Sequence, residues 1–579
     1  MSAFAERYRA LLGPIGARLG LVGALLLAIG SVLPWSRYAG FPGKMAIAGP
    51  GGARLGSLLL ALVGILLLRP VPGGKRAVRA AASLGFLIAL TTVLFIAYAR
   101  GGLVHVAAGG FVAAAGGLLY VLGAFSLDVA GDKASTEMAL PEKAWRQYAE
   151  WAITVSLPAL GLWTFVVGLG ITSANIAGDP DTVIRGAISL NALTNDGEFL
   201  AFLFMVVGLI LVASRTGVLA AMNAISKQHK TLFLAAGMIA AAAFPFTQDG
   251  NGYALRIAAS IGVFAAAAVG LNIVVGLAGL LDLGYIAFFG VGAYFAAIFS
   301  GSVTSHYNVH LPFGLVIILG ALVAGLFGIL LGAPTLRLRG DYLAIVTLGF
   351  GEIFRITANN LDGNSGPSLT NGPNGISNIP DLTLPGGFNF GDNHHLFGID
   401  LPFQANYYWL EIILVAVVMT AFLRLSESRI GRAWVAIRED ELAAAATGIN
   451  TTQLKLLAFA LGATLAGAAG TVNAHVVKVA TPDSFTFLES ALLLAAVILG
   501  GMGTVPGALL GATVLYLLPE KLRFLQDLRL LVFGIVLVLI MRLRPEGLVP
   551  SKRRAREFHD TEHRPDALDA PPGHGGVIA

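Results

Sequence analysis

The chain has 579 residues, of which 56% are apolar and 12% are charged, and its mean hydropathy is +0.77. So many apolar residues cannot be buried in the cores of soluble domains, so the composition excludes a soluble protein and indicates a membrane protein. The formal net charge is +5, and the chain has no cysteine, which excludes disulfide bonds and thiolate metal sites.

Apolar runs recur along most of the chain. Runs such as LLALVGILLL do not alternate as lipid-facing β-strands do, and the 73 glycines suit helices that pack closely in lipid. We predict an all-α, polytopic helical bundle of about 13 to 16 transmembrane helices, some broken or re-entrant, since about 20 apolar residues cross a bilayer core. The predicted spans are 19–34, 55–68, 80–99, 103–127, 152–171, 199–219, 231–245, 255–276, 283–299, 312–332, 341–357, 409–424, 453–475, 485–500, 504–519 and 527–543.

Polar segments divide the chain into predicted domains. An N-terminal membrane unit at 1–127 is followed by a charged cytoplasmic linker at 128–150 and by additional spans at 151–219. A segment at 359–408 is rich in Gly, Asn and Pro, and the polar tail at 551–579 is typical of disorder. The positive-inside rule places both termini and the tail in the cytoplasm and the segment at 359–408 outside.

The same topology places an unusual charged segment, 431–452, in the cytoplasm. At helical spacing its apolar residues form a stripe opposite the charges, which predicts short interfacial helices, and Gly448 offers a turn between them and the next span. One explanation is an inside loop whose charges only fix topology. The other is docking into a groove of another protein, which suits a stripe with charges of both signs better than a lipid anchor rich in Lys and Arg.

Several stretches of the chain carry a resemblance in the same order. They are GLNIVVGLAGLLDLGYIAFFGVGAYFAA at 270–297, LRLRGDYLAIVTLGFGEIFRI at 336–356, NGPNGIS at 371–377, SRIGRAWVAIREDELAAAATGINTTQLKLLAF at 428–459, PDSFTFLESALLLAAVILGGMGT at 482–504 and RPEGLVP at 544–550. Together they resemble the permease subunit of ATP-binding-cassette (ABC) importers, specifically the high-affinity leucine, isoleucine and valine transport family. The resemblance covers about residues 220–550, which we take as the permease core, and it leaves the first 220 residues as an added unit.

This resemblance implies a transport subunit of the bacterial inner membrane with several partners. They are a second permease subunit, two cytoplasmic ATPase subunits that bind ATP and Mg²⁺, and a periplasmic substrate-binding protein; we expect contact with lipid and none with nucleic acid. The chain itself has no P-loop, because its Gly-Lys pairs at 43–44 and 74–75 are followed by Met and Arg instead of Ser or Thr. We therefore expect no bound cofactor, no metal site and no catalytic residue here.

The charged segment supplies the candidate residues for coupling to the ATPases. A docking helix transmits motion only through contacts that differ between two conformations. The candidates for such contacts are Trp434, Arg438, Glu439, Asp440 and Glu441. The permease pattern of Glu-Ala-Ala followed by Gly adds a further set by resemblance. That set is Ala443, Ala444 and Gly448, with Leu442 standing where the pattern has Glu.

Polar residues within spans are candidates for the translocation path. Asp282, flanked by Gly279 and Gly284, indicates a broken or re-entrant helix, and a carboxylate at the bilayer centre costs about 2.5 to 3.5 kcal/mol. Its alternative role is structural, as a cap of that break or as a partner of a neighbouring helix. Glu352 is expected to pair with Arg355 at i+3, and Glu489 lies near the outer end of its span. These carboxylates, together with Gly279 and Gly284, are the path candidates.

Two other functions stay open at the level of sequence, and a third is disfavoured. Relatives of this kind can carry other amino acids or urea, since selectivity resides largely in the binding protein. A broken helix with an intramembrane Asp also suits an ion-coupled secondary transporter. An intramembrane enzyme would need a motif such as H-E-x-x-H or G-x-S-x-G, and the chain has neither.

Overall fold

The computed structural model describes most of the chain. Its residues are 2–35, 52–67, 71–100, 102–127, 129, 132, 143–176, 196–248, 250–307, 309–335, 341–384, 387–396, 398–521, 531, 534, 535, 538, 542 and 547–549. The predictions for the tail at 551–579, and for most of the linker at 128–150 and of the span at 527–543, lie outside these residues. Within them the chain forms two compact units, 1–254 with 395–401 and 255–394 with 402–579.

The first unit is helical. Its helices are α1 (Ser2–Val32), α2 (Gly52–Leu62), α3 (Gly74–Arg100), α4 (Ala108–Ser126), α5 (Lys143–Ile176), α6 (Asp196–Arg215), α7 (Val218–Gln228) and α8 (Lys230–Ala243). Helix α6 bends sharply into α7 at Gly217, which has a φ of 84°. The predicted single span at 199–219 therefore runs across a bend, because glycine alone takes this φ without strain.

Helices α1 and α4 pack closely through glycines. A Cβ added at Gly23 would overlap the backbone nitrogen of Tyr120, and one added at Gly116 would lie 2.5 Å from the backbone nitrogen of Leu27. The buried Arg54 guanidinium donates hydrogen bonds to the carbonyls of Ser31, Val32 and Leu33 at the end of α1. The unit therefore has a close-packed interior of its own.

Replacing Gly23 with alanine is expected to loosen this helix pair. Overpacking of a close-packed site costs about 1 to 3 kcal/mol, so amide exchange in α1 and α4 should accelerate. Hydrogen-exchange mass spectrometry of the purified chain measures this. The control is Gly161→Ala in α5, where an added Cβ meets no atom within 4 Å in the described structure. Equal exchange in Gly23→Ala and the unmodified chain would contradict the packing described here.

The second unit holds the remaining helices. They are α9 (Gly252–Asn272, which begins in the first unit), α10 (Tyr285–Phe299), α11 (Phe313–Thr335), α12 (Asp341–Asn360), α13 (Gln404–Glu427), α14 (Arg429–Glu439), α15 (Glu441–Ala446), α16 (Thr451–Val477), α17 (Phe487–Gly500) and α18 (Val505–Lys521). Helix α10 lies at its centre and is buried on nearly all sides. It packs on α16, where a Cβ added at Gly292 would overlap the carbonyl oxygen of Gly467.

The parts of the segment at 359–408 that belong to the second unit, 359–394 and 402–408, contact the ends of its helices. Strand β1 (Ile376–Ser377) pairs antiparallel with β4 (Val479–Ala480), which follows α16. Between them in the chain lies the short hairpin of β2 (His394–Leu396) and β3 (Ile399–Leu401). Asp381 forms an ion pair with Lys478 at 2.8 Å. The end of α16 and the chain that leads into α17 therefore lie against residues 376–381 of this segment.

The prediction of an all-α, polytopic membrane protein is confirmed. Among the described residues, nine helices are long and apolar enough to cross a bilayer, and α6 with α7 adds a tenth span if that bent pair counts as one. Four shorter apolar helices, including α10 and α18, fall below that length, and the count of 13 to 16 spans stays a prediction. The protein is therefore a multi-pass membrane protein.

Candidate functional site

The first candidate site is the segment predicted to face the cytoplasm, which we define as α14 and α15, Arg429–Ala446, and call the coupling segment. Ser428 caps α14 by accepting a hydrogen bond from the Gly431 amide at 3.1 Å. Asp440 separates the two helices and caps α15, since its Oδ1 accepts from the amides of Leu442 at 2.8 Å and Ala443 at 3.0 Å. The two short helices agree with the prediction. The Asp440 carboxylate bonds backbone amides of α15 as an N-cap, so its contacts lie within the segment itself.

Two side chains of the coupling segment fix it to the start of α16. Trp434 is fully buried, and its indole Nε1 donates a hydrogen bond to the carbonyl of Leu454 at 2.7 Å. Glu441 pairs with Lys455 at 2.6 Å, and only 8% of the Lys455 side chain is exposed. An ion pair this sheltered is screened less than a surface pair, so the segment and α16 are held together.

Arg438 connects the coupling segment to a different part of the chain. Its Nη1 donates a hydrogen bond to the carbonyl of Gly276 at 2.7 Å, and its Nη2 bonds Glu439 Oε1 at 2.7 Å. The aliphatic part of Arg438 lies against Gly279, where an added Cβ would overlap the arginine Cγ. Arg438 therefore reaches directly into the break after α9.

This helix break, Ile273–Gly284, begins with one π-helical turn at Ile273–Leu277 and continues without helix to the start of α10. Gly279 has a φ of 72°, a conformation that glycine adopts without strain. The predicted interruption is present. The break connects α9 to α10, so a change in its backbone conformation alters the position of these two helices relative to each other.

Asp282 lies within the helix break and is fully buried. Its Oδ1 accepts a hydrogen bond from the Gly284 amide at 2.9 Å, at the start of α10, whereas its Oδ2 has no partner in the described structure. Gly284 in turn lies directly against the carbonyl of Thr347 in α12. Asp282 thus acts as a cap of the break, which is the structural alternative for this residue.

Sequence reasoning missed Asn272, which joins the helix break to the turn between α17 and α18. Its Nδ2 donates to the carbonyl of Thr504 at 2.9 Å, and its Oδ1 accepts from the amide of Gly503 at 2.8 Å. The RPEGLVP stretch reaches the same place, because Thr504 Oγ1 donates to the carbonyl of Val549 at 3.1 Å. A lone amide side chain in the apolar run GLNIVVGL was the signal that could have identified Asn272.

The other carboxylate candidates lie elsewhere. Glu352 pairs with Arg355 at 3.1 Å, as the i, i+3 spacing predicted, and Arg355 also approaches Asp483 at 3.5 Å. Glu489 is in the first turn of α17, about 16 Å along the helix from Gly500, at a rise of about 1.5 Å per residue. The structure therefore brings Arg438 to the helix break and Glu439 to Arg438, and it places Trp434 and Glu441 against α16. It brings neither Glu352 nor Glu489 to the break.

The exposed residues of α15, the second helix of the coupling segment, are all apolar. Leu442 is 68% exposed, whereas Ala444 is buried. Its exposed neighbours on α15 and the following turn are Ala443, Ala445, Ala446, Thr447 and Gly448. An exposed leucine beside small residues on a short helix suits a contact with another protein.

These features define a polytopic helical membrane protein with an amphipathic two-helix segment between its spans. The chain matches the family described as "Branched-chain amino acid transport system / permease component" over residues 253–541. It is 41% identical over 341 residues, 57% of this chain and 77% of the relative, to the high-affinity branched-chain amino acid transport system permease protein LivM of Salmonella typhimurium. The chain belongs to this permease family.

Two further relatives give the range of similarity. The chain is 40% identical to LivM of Escherichia coli K12 over 359 residues, 60% of this chain and 81% of the relative. It is 32% identical to a second permease protein of the same system, LivH of Salmonella typhimurium, over 139 residues, 23% of this chain and 44% of the relative. No solved structure gave a significant match.

Proposed function

We propose that this chain is the transmembrane permease subunit of an ATP-driven importer for branched-chain amino acids. It receives substrate from a periplasmic binding protein and passes it to the cytoplasm by alternating access. The observation that carries the proposal is the similarity to LivM, which extends over 77% of that relative. The chain lies in the bacterial inner membrane with both termini in the cytoplasm, and residues 220–550 form the transport core.

Partner subunits supply what this chain lacks. A second permease subunit, different from this chain, completes the pathway; the similarity to both LivM and LivH supports this. Two ATPase subunits bind ATP and Mg²⁺ and dock on the cytoplasmic side. The segment at 359–408 faces the periplasm, where it is positioned to receive the binding protein.

The two sides of the coupling segment have different roles: one binds an ATPase subunit and the other contacts the rest of this chain. The exposed side around Leu442 contacts an ATPase subunit. Trp434, Arg438 and Glu441 face inwards and carry the displacement to α16 and to the helix break. Because the break joins α9 to α10, a small displacement of Arg438 changes the packing of these helices between inward-open and outward-open states.

Deleting the gene for this chain is expected to abolish high-affinity uptake of radiolabelled leucine, because no other subunit replaces half of the pathway. Expression of the unmodified chain should restore uptake, and a truncated gene that ends before α9 should not. Uptake that persists in the deletion strain, or that stops with an uncoupler but continues without the ATPase subunits, would contradict the proposal.

A further inference from the structure

Helix α12 differs from its neighbour α11 in composition, although the two helices have similar lengths. Helix α11 contains no charged residue and is among the nine helices that are apolar enough to cross a bilayer. Helix α12 contains Glu352 and Arg355 and is not among those nine, although a span is predicted at 341–357. The surroundings of α12 in the membrane therefore need a separate explanation.

One side of α12 packs inside the second unit. Leu343, Thr347 and Ala358 are buried there, and a Cβ added at Gly351 would lie 3.3 Å from the Cα of Gly284. Successive residues of a helix are about 100° apart, so these four positions of α12 lie on one side of the helix. The opposite side points away from the other helices of the second unit.

We call this opposite side the open face of α12. Gly349 lies at its centre, and a Cβ added there would meet no other part of the described chain within 4 Å. The large residues of the open face are all exposed, and they are Tyr342, Ile345, Ile353 and Ile356. The open face is therefore apolar at both ends and has a shallow depression in the middle.

An ion pair lies at the edge of the open face. The Glu352 carboxylate accepts a hydrogen bond from the Nε of Arg355 at 3.1 Å, and 44% of the Glu352 side chain is exposed. At a rise of about 1.5 Å per residue, Glu352 is about 12 Å from the last residue of α12, which is membrane depth for a spanning helix. Charged residues at that depth almost always face protein or a water-filled cavity, so lipid does not suit this side of α12.

Three surroundings can be compared for the open face: lipid, water and a helix of another protein. Lipid suits the isoleucines but not the ion pair. Water suits the ion pair but not a row of exposed isoleucines. A helix of a second membrane protein suits both, because a small residue such as Gly349 lets two helix backbones approach closely.

We propose that the second permease subunit packs on the open face, with one of its helices crossing α12 at Gly349. The proposal rests on the proposed function, which includes that subunit, and adds the surface where the two chains meet. The contact also has a route to the helix break, because Gly284 at the end of the break lies against the carbonyl of Thr347 on the packed side of α12. A displacement of either subunit is thereby passed to the other.

The first test measures how much of the second permease subunit co-purifies with this chain from membranes that contain the complete importer. Gly349→Leu places a large side chain at the crossing point, so the co-purified amount should fall about tenfold. The matched control is Gly314→Leu in α11, where an added Cβ also meets nothing within 4 Å in the described structure, and it should leave pairing unchanged. Unchanged pairing in Gly349→Leu, or an equal loss in Gly314→Leu, would overturn the proposed surface.

The second test identifies the neighbour of the open face directly and does not depend on weakening the complex. The photoreactive amino acid p-benzoylphenylalanine replaces Ile353, which is 63% exposed, or, as the control, Leu322 of α11, which is 58% exposed. Irradiation of the complete importer should join position 353 to the second permease subunit and position 322 to lipid, with the products identified by mass spectrometry.

The products also separate the proposed surface from the proposed function. Adducts of position 353 with lipid alone, with another copy of this chain or with the first unit of the same chain would overturn the surface, as would an equal yield of second-subunit adduct at position 322. An unmodified chain that co-purifies with no second permease subunit would instead refute the proposed function.

Discussion

Replacing Arg438 with methionine is expected to uncouple the importer: ATP hydrolysis continues while leucine uptake falls about ten- to hundredfold. Methionine keeps the apolar contact with Gly279 but loses the hydrogen bond to the carbonyl of Gly276. Hydrogen bonds from a charged donor contribute about 1.5 to 3 kcal/mol, and about 1.4 kcal/mol corresponds to a factor of ten. Uptake and ATP hydrolysis are measured together in proteoliposomes of the complete importer.

The matched control for this variant is Arg432→Met in the same helix. Arg432 is exposed, and its guanidinium bonds the carbonyl of Glu427 just before α14 and so remains local. A second route to the same effect is Gly279→Ala, because an added Cβ displaces the Arg438 side chain and the φ of 72° disfavours alanine. Normal uptake in both Arg438→Met and Gly279→Ala would exclude the contact as a transmitter.

The sequence predicts much of the second unit because its signals are local. From the length of the apolar runs we predict spans at 453–475 and 485–500. The structure has α16 at Thr451–Val477 and α17 at Phe487–Gly500, close to these predictions. Glycine density likewise predicts the helix break around Asp282. Helix α1 begins at Ser2, well before the predicted start at 19, because a helix continues beyond the apolar stretch that crosses the bilayer.

The direction of the charged side chains in the coupling segment could not be predicted in the same way. Their grouping indicated a surface for a partner, yet Arg438 bonds a carbonyl 162 positions earlier in the chain, and Glu441 bonds a buried lysine. Helical periodicity places Trp434 on the apolar stripe but does not say what that stripe packs against. Such long-range partners follow from the tertiary structure alone, as does the bridge made by Asn272.

The ATPase contact itself is tested at Leu442, where substitution with aspartate is expected to prevent the ATPase subunits from binding. The side chain is 68% exposed in this chain, so the change removes little internal packing, and an acidic residue near the start of α15 suits the helix dipole. A central apolar contact of an interface contributes about 2 kcal/mol or more, so binding should weaken at least about thirtyfold. Co-purification of the ATPase subunits with the chain measures this.

Leu442→Met is the control, since it conserves size and apolar character and should keep the subunits bound. The two variants separate assembly from transmission. Leu442→Asp should lose the ATPases with the inward contacts of Trp434 and Arg438 intact, whereas Arg438→Met should keep the ATPases bound and lose only uptake. If Leu442→Asp retained bound ATPases, the docking surface would lie elsewhere. If Arg438→Met also released them, that residue would hold the docking surface in shape and would not transmit motion.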